Sequence, residues 1–207
     1  VYDTAKTWLK KQKTVALVGG DHSTPYGLIK ALSEVNGPDF GILHIDAHHD
    51  LRKSYEGFQF SHASIFHNVL EASWAPSSLT QVGIRDFCEE EVEYAKEKSV
   101  AVFYDLHLQL KKAKGETWWS ICKEIVETLP QKVYISFDID GLSPAFCPHT
   151  GTPVAGGLDY SEALILFKCV AESGRKIIGF DVNEVAPGAD GDEWDANVAA
   201  RLIFKLC

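Results

Sequence analysis

The chain has 207 residues, a formal net charge of −9, and 45% hydrophobic and 24% charged residues. That length supports one substantial core and is short for two independent domains. The ordinary composition excludes general disorder, and the acidic balance argues against nucleic acid and anionic membranes as partners.

Taken in chain order, short β-branched runs alternate with helical patterns. Lys6, Lys10, Lys11 and Lys13 read as the wet face of an N-terminal helix. Strands are expected over residues 14–18, 40–45, 79–83, 100–104, 132–137 and 176–181, and helices over 25–35, 63–71, 89–98, 117–129, 159–173 and 193–206. Pro25 suits a first helical turn, and Asp159 or Ser161 can cap the helix beside it. Val15-Ala16-Leu17-Val18 and Ile177-Ile178 are apolar through both faces, as in a parallel sheet covered by helices on both sides. No repeat, low-complexity tract or linker interrupts this pattern. The expectation is one α/β domain over residues 1–207, three layers deep, with a mainly parallel central sheet.

No apolar run reaches membrane-spanning length, and the first residues lack the pattern of a secretory signal. The five cysteines are widely spaced without a C-x-x-C. They make neither a disulfide framework nor a zinc knuckle, which points to a reducing cytoplasm. With no methionine, even at position 1, the chain is expected to begin inside a longer gene product.

In such sheets ligands bind beyond the carboxyl ends of the strands. Four of those places carry unusual polar residues: Gly19-Gly20-Asp21-His22-Ser23, Asp46-Ala47-His48-His49-Asp50, Asp138-Ile139-Asp140, and Asn183-Glu184. In extended backbone alternate residues point the same way, so Asp46, His48 and Asp50 can project together, as can Asp138 and Asp140. Carboxylates so close repel one another unless a cation lies between them. Taken singly, each motif has a plainer reading: a polar loop after a buried strand, a turn helped by Gly141 and Pro144, a capping histidine at His22. Jointly, two histidines and four aspartates at strand ends point to a dinuclear site. Oxygen-rich ligation with little imidazole and no thiolate suits manganese, with iron, cobalt or zinc as substitutes. Two adjacent metals acidify a shared water, so the expected chemistry is hydrolysis at a polarised carbon.

These motifs, with Ser136-Phe137-Asp138-Ile139-Asp140-Gly141-Leu142-Ser143-Pro144, resemble the three metal motifs of the ureohydrolases, the arginase, agmatinase, guanidino-acid hydrolase and formimidoylglutamase family. Gly151-Thr152-Pro153-Val154-Ala155-Gly156-Gly157-Leu158 and Asp181-Val182-Asn183-Glu184-Val185-Ala186-Pro187 match in order. The resemblance implies an arginase-like fold and two manganese ions. One would be held by His22, Asp46, Asp50 and Asp138, the other by Asp46, His48, Asp138 and Asp140. His49 and His44 are read as structural or supporting histidines, His67 as surface or packing, and Cys147 as no nucleophile. The resemblance further implies that Glu184 grips the planar N–C–N end of the substrate. His62, in Phe60-Ser61-His62-Ala63-Ser64, passes protons to the leaving amine, and Asp50 orients the attacking hydroxide. A histidine opening a helix is the plainer reading of His62.

The implied reaction is cleavage of a guanidino C–N bond, with agmatine, giving putrescine and urea, as the leading substrate. The stretch 51–59 does not match the arginase pattern that holds the amino-acid head of arginine. Arg52 supports a second possibility, pairing with the carboxylate of formimidoylglutamate or a guanidino acid, unless it turns outward to a structural acid. The single-metal deacetylases of the wider superfamily lack counterparts of His22, Asp50 and Asp140. The resemblance implies a homo-oligomer, trimeric or hexameric, and a family N-terminal segment with an edge strand, which this chain is expected to lack. A non-catalytic metal-binding scaffold is therefore the alternative of another class.

Overall fold

Each apolar run closes into a strand and each amphipathic stretch into a helix covering it. The computed structural model describes residues 1–207. In chain order the elements are α1 (Tyr2–Lys10), β1 (Val15–Val18), α2 (Tyr26–Asn36), β2 (Gly41–Ile45), α3 (Ile65–Leu70), β3 (Ser78–Ile84) and α4 (Glu89–Glu97). There follow β4 (Ala101–Tyr104), α5 (Asp105–Ala113), α6 (Trp118–Glu127), β5 (Lys132–Asp138), α7 (Tyr160–Glu172), β6 (Lys176–Asn183) and α8 (Trp194–Leu206). The six strands form one sheet in the order β1-β6-β5-β2-β3-β4, and every pairing is parallel.

Two apolar cores lie on opposite faces of that sheet. One joins Leu43, Ile45, Val133, Ile135, Phe137, Phe180 and Val182 to α6, α7 and α8. The other joins Phe40, Ile42, Tyr134 and Ile178 to α1, α2 and α3. The architecture is three-layer α/β/α, as the sequence leads one to expect. No helix is long and apolar enough to cross a membrane, and all five cysteines are free thiols.

Several boundaries move, for physical reasons. β5 and β6 run on to Asp138 and Asn183, beyond their apolar residues. Ladder pairing holds these polar ends, with Ser136 opposite Asp181 and Asp138 opposite Asn183. The helix expected from residue 63 begins as a 3₁₀ turn, His62–Ser64, and becomes α-helical at Ile65. Helix α5 has no counterpart in the sequence reading. Asp105-Leu106-His107-Leu108-Gln109-Leu110 alternates polar and apolar residues with a strand-like period, yet only Leu108 of its leucines is buried. Asp159 is the N-cap of α7, in a reciprocal capping box with Glu162.

The two faces differ at the carboxyl edge, and this positions the site. On the α6–α8 side the strands stay apolar to their ends, at Ile45, Phe137 and Val182. The intervening residues, which face the other side, turn polar: His44 and Asp46, Ser136 and Asp138, Asp181 and Asn183, all buried. Gly141 lets the β5 turn close onto β2, because a Cβ there would lie 2.8 Å from the Asp46 nitrogen.

Candidate active site

Asp46 directly follows β2 and sets its two carboxylate oxygens toward different imidazoles. Its Oδ2 lies 3.0 Å from His22 Nδ1, and its Oδ1 lies 3.3 Å from His48 Nδ1. Around His22 Nδ1 gather Asp50 Oδ2 at 3.0 Å and Asp138 Oδ2 at 3.3 Å. Around His48 Nδ1 stands Asp140 Oδ2 at 3.1 Å. All six residues expected as metal ligands thus converge in two groups that share Asp46. Asp138 faces the His22 group with Oδ2, while its Oδ1 accepts the Asp140 backbone N–H at 2.9 Å. Asp50 takes the left-handed conformation at φ 53°, a strained backbone of the kind concentrated at functional sites. Its carbonyl accepts the N–H of Phe66 at 3.1 Å and so ties the motif to α3.

The chemistry of this donor set fits divalent cations. Burial and the negative charge of Asp46 push the Asp50 carboxyl up to about 7. Burial, with Asp140 and Asp46 beside it, raises Asp138 well above the carboxylate range. Burial alone would lower His48, but Asp140 and Asp46 raise it to about 11. Burial likewise opposes protonation of His22, and Asp138, Asp46 and Asp50 overcome it. Protons therefore compensate the crowded carboxylates where no cation does. Oxygen-rich ligation with two imidazoles and no thiolate suits a hard divalent metal.

A second ring of residues orients the first. Gln81 on β3 donates from Nε2 to His44 Nδ1 at 2.9 Å. That leaves the His44 proton on Nε2, which donates to Asp46 Oδ2 at 2.7 Å. Burial lowers His44 to about 4, so it is a neutral donor and supports Asp46 instead of competing as a ligand. His49 Nδ1 donates to Gln81 Oε1 at 2.6 Å, away from the carboxylates, in keeping with its structural reading. His22 Nε2 reaches Ser136 Oγ at 2.9 Å, and Ser136 Oγ donates to the buried Asp181 at 3.0 Å. Such chains fix the tautomer of a ligating imidazole. Arg85 donates to the carbonyls of Gly83, Asp140, Leu142 and Val154, pinning the turn that carries Asp140.

Sequence reasoning gave no role to Gln81, Ser136, Asp181 or Arg85. Each is a single polar residue most of whose partners lie tens of residues away. An interrupted apolar strand is the only local signal, and Ser136 and Asp181 carry it inside motifs already noted.

Glu184 follows β6 at φ 60°. Its Oε1 accepts the His22 backbone N–H at 2.8 Å, and its carbonyl accepts Thr150 Oγ1 at 2.8 Å. His149, next to Thr150, is held by the buried Asp195 of α8 through two contacts of 2.9 Å. Burial raises the Glu184 carboxyl. Glu184 and His62 line one cavity of about 130 Å³ together with His22, His48, Asp50 and Asp138. His62 packs edge-on to Tyr55, with ring centroids 5.5 Å apart. Arg52 reaches the same cavity, but its Nε lies 3.7 Å from the buried Glu91 and its guanidinium sits 5.4 Å over Tyr55. His67 packs on Tyr94 at 4.5 Å. Cys147 is buried in the core, and burial pushes its thiol up to about 12.

A wholly parallel, three-layer α/β/α sheet with a carboxylate–imidazole pocket at its carboxyl edge defines an α/β protein with a candidate metal site. The chain belongs to the arginase family, whose family model matches residues 1–207. It is 34% identical over 204 residues to an N(1)-aminopropylagmatine ureohydrolase of Thermus thermophilus, covering 99% of this chain and 65% of that protein. To the agmatinase of Bacillus subtilis it is 35% identical over 202 residues, covering 96% of this chain and 64% of the other. Among solved structures, the proclavaminate amidinohydrolase of Streptomyces clavuligerus superposes with a TM-score of 0.84 at 31% identity, covering 99% of this chain and 68% of that one. The chain thus spans slightly less than two thirds of the length of the two curated relatives.

Proposed function

We propose that the chain is a dinuclear-metal hydrolase that cleaves a C–N bond of a guanidino substrate, with agmatine, giving putrescine and urea, as the leading candidate. The observation that carries this reading is the paired convergence on Asp46: three carboxylates about His22 Nδ1 and two about His48 Nδ1. His22, Asp46, Asp50 and Asp138 would hold one cation, and Asp46, His48, Asp138 and Asp140 the other, with manganese as the metal. Such a pair supplies an acidified water and positive charge opposite developing negative charge.

The residues of the chain do the remainder. Glu184 accepts N–H donors of the guanidinium, its own orientation fixed by the His22 N–H. Asp50 Oδ2 accepts a hydrogen bond from the attacking water and fixes its approach. As the water oxygen joins the guanidino carbon, Asp50 takes one of its protons; the C–N bond to the tail breaks, and His62 passes protons to the departing nitrogen, so that both water hydrogens end on the amine and urea leaves neutral. Two relatives named for agmatine or its aminopropyl derivative support a cationic tail. The pairing of Arg52 with Glu91 leaves the cavity without a free cation for a carboxylate tail, which disfavours formimidoylglutamate and guanidino acids. Cytoplasmic location, a single domain and a trimeric or hexameric assembly complete the proposal.

The test is product release by the manganese-loaded protein given agmatine, arginine, 4-guanidinobutyrate and formimidoylglutamate in parallel. Urea from agmatine is the expected result. Metal-dependent thermal stabilisation with no turnover on any of the four would favour the scaffold instead.

A further inference from the structure

Helix α8 reaches the site without lining its cavity. Asp195, in the first turn of α8, is 1% exposed, and a carboxylate is costly to bury unless its oxygens are hydrogen-bonded. An acid in that position ordinarily faces the free N–H groups of its own helix end. Here both oxygens serve one residue of another segment. Oδ2 accepts the His149 backbone N–H and Oδ1 accepts His149 Nδ1–H, each at 2.9 Å. The imidazole so held also meets the chain beyond Glu184, because a Cβ on Gly188 would lie 2.6 Å from His149 Nε2.

The residue after His149 reaches the substrate end of the site. Thr150 is buried, and its Oγ1 donates to the Glu184 carbonyl at 2.8 Å. Glu184 sits at φ 60°, a left-handed backbone that persists outside glycine only where its surroundings over-determine it. Three holds do so. Its N–H donates to the Gly20 carbonyl at 2.8 Å, its carbonyl accepts Thr150, and its Oε1 accepts the His22 N–H at 2.8 Å. The first and third come from the loop after β1, and the second from the loop that Asp195 fixes. Two residues further on, Thr152 lines the cavity and its Oγ1 donates to Asp140 Oδ2 at 3.3 Å.

We propose that Asp195 is a positioning residue which, through His149 and Thr150, sets the backbone of Glu184 and so the aim of its carboxylate at the guanidinium. The kinetic consequence rests on the guanidino-hydrolase reading; the structural one rests on the three holds alone. Neither Asp195 nor His149 lines the cavity, so the effect passes through the backbone and not through contact with substrate.

The metal-loaded protein is compared with Asp195→Ala, Asp195→Asn and Thr150→Val. In Asp195→Ala kcat/KM for agmatine falls about fivefold, through KM, because the carboxylate keeps two of its three holds. Manganese content is unchanged. Thr150→Val keeps the shape of the side chain, removes its hydroxyl and does the same. Asp195→Asn stays within about twofold of wild type, since an amide there accepts the backbone N–H and donates to the other imidazole tautomer. In a Glu184→Gln background the effect of Asp195→Ala shrinks below about twofold. Hydrogen exchange of the His22 amide, which donates to Glu184, needs no turnover. It quickens about fivefold in Asp195→Ala while the amides of β3 and β4 keep their rates.

Wild-type kcat/KM in both Asp195→Ala and Thr150→Val overturns the proposal. So does a loss that persists in full in the Glu184→Gln background, or one as large in Asp195→Asn as in Asp195→Ala. His22 exchange that is unchanged, or that quickens only together with β3 and β4, overturns it as well. Faster His22 exchange confined to the site, with no urea from any guanidine, supports the positioning role and removes the hydrolase.

Discussion

Asp46 serves both halves of the site with one side chain, and on the other half His48 Nδ1 has Asp46 and Asp140 as its carboxylate neighbours. His48→Ala is therefore expected to lower bound manganese by one equivalent per chain and turnover by more than about tenfold, measured by elemental analysis beside the urea assay. Glu184→Gln removes the charge opposite the guanidinium. Its KM for agmatine should rise about tenfold, the scale of a lost charge-assisted hydrogen bond of roughly 1.5 kcal/mol, with metal content unchanged. The pH dependence follows from the protons that a cation must displace. With Asp50 at about 7 and His48 at about 11, both hold protons near pH 5, and competition weakens as Asp50 ionises. The rise in Tm on adding manganese should therefore grow from pH 5 to pH 8. The metal-free protein should show the opposite sign. Unfolded Asp50 releases its proton near pH ~3.9, below its folded value, and unfolded His48 near pH ~6.5. The folded state binds more protons across both windows, so stability falls as pH rises through them. Scanning calorimetry at several pH values separates the two trends.

At the scale of elements, the strand ends decide the site. The motifs after β1, β2 and β5 were legible because acids and imidazoles crowd within a few residues, but the extended alternation expected of them does not hold: Asp50 is left-handed and Asp140 lies in a 3₁₀ turn, Ile139–Gly141, so that Asp138 faces His22 while Asp140 faces His48. Gln81, Ser136 and Asp181 were not legible, because each is one polar residue in a strand and its meaning comes from a neighbouring strand. Ser136 bridges His22 to Asp181 only once β1, β5 and β6 lie side by side. Helix α5 stayed hidden because its leucines alternate as in a strand, and the polar ends of β5 and β6 because ladder pairing, not hydrophobicity, extends them. The contact of the β5 turn with β2 makes a sharp prediction. Gly141→Ala puts a methyl 2.8 Å from the Asp46 nitrogen, an overpacking that costs about 1–3 kcal/mol. Tm should drop by ~2–4 °C for each kcal/mol, and manganese affinity should fall with it because the backbone of Asp46 must shift. A variant with wild-type Tm and metal affinity would show that this approach carries no constraint.

At the scale of the molecule, the net charge of −9 and the crowding of buried acids at one sheet edge have a common reading. Two apolar cores hold a sheet whose carboxyl edge would repel itself without positive charge. The three-layer fold and parallel sheet could be read from sequence, because strands apolar on both faces leave few other arrangements. The strand order could not, since it depends on which strands meet across long connections. Family membership covers the full 207 residues, and the proposed catalysis requires two cations that share Asp46 and Asp138. The most direct measurement is manganese stoichiometry, titrated against urea release from agmatine in the same sample. Activity that rises to its maximum only as the second equivalent binds is the expected result. Full activity at one equivalent per chain, or in Asp140→Ala, would contradict the dinuclear account.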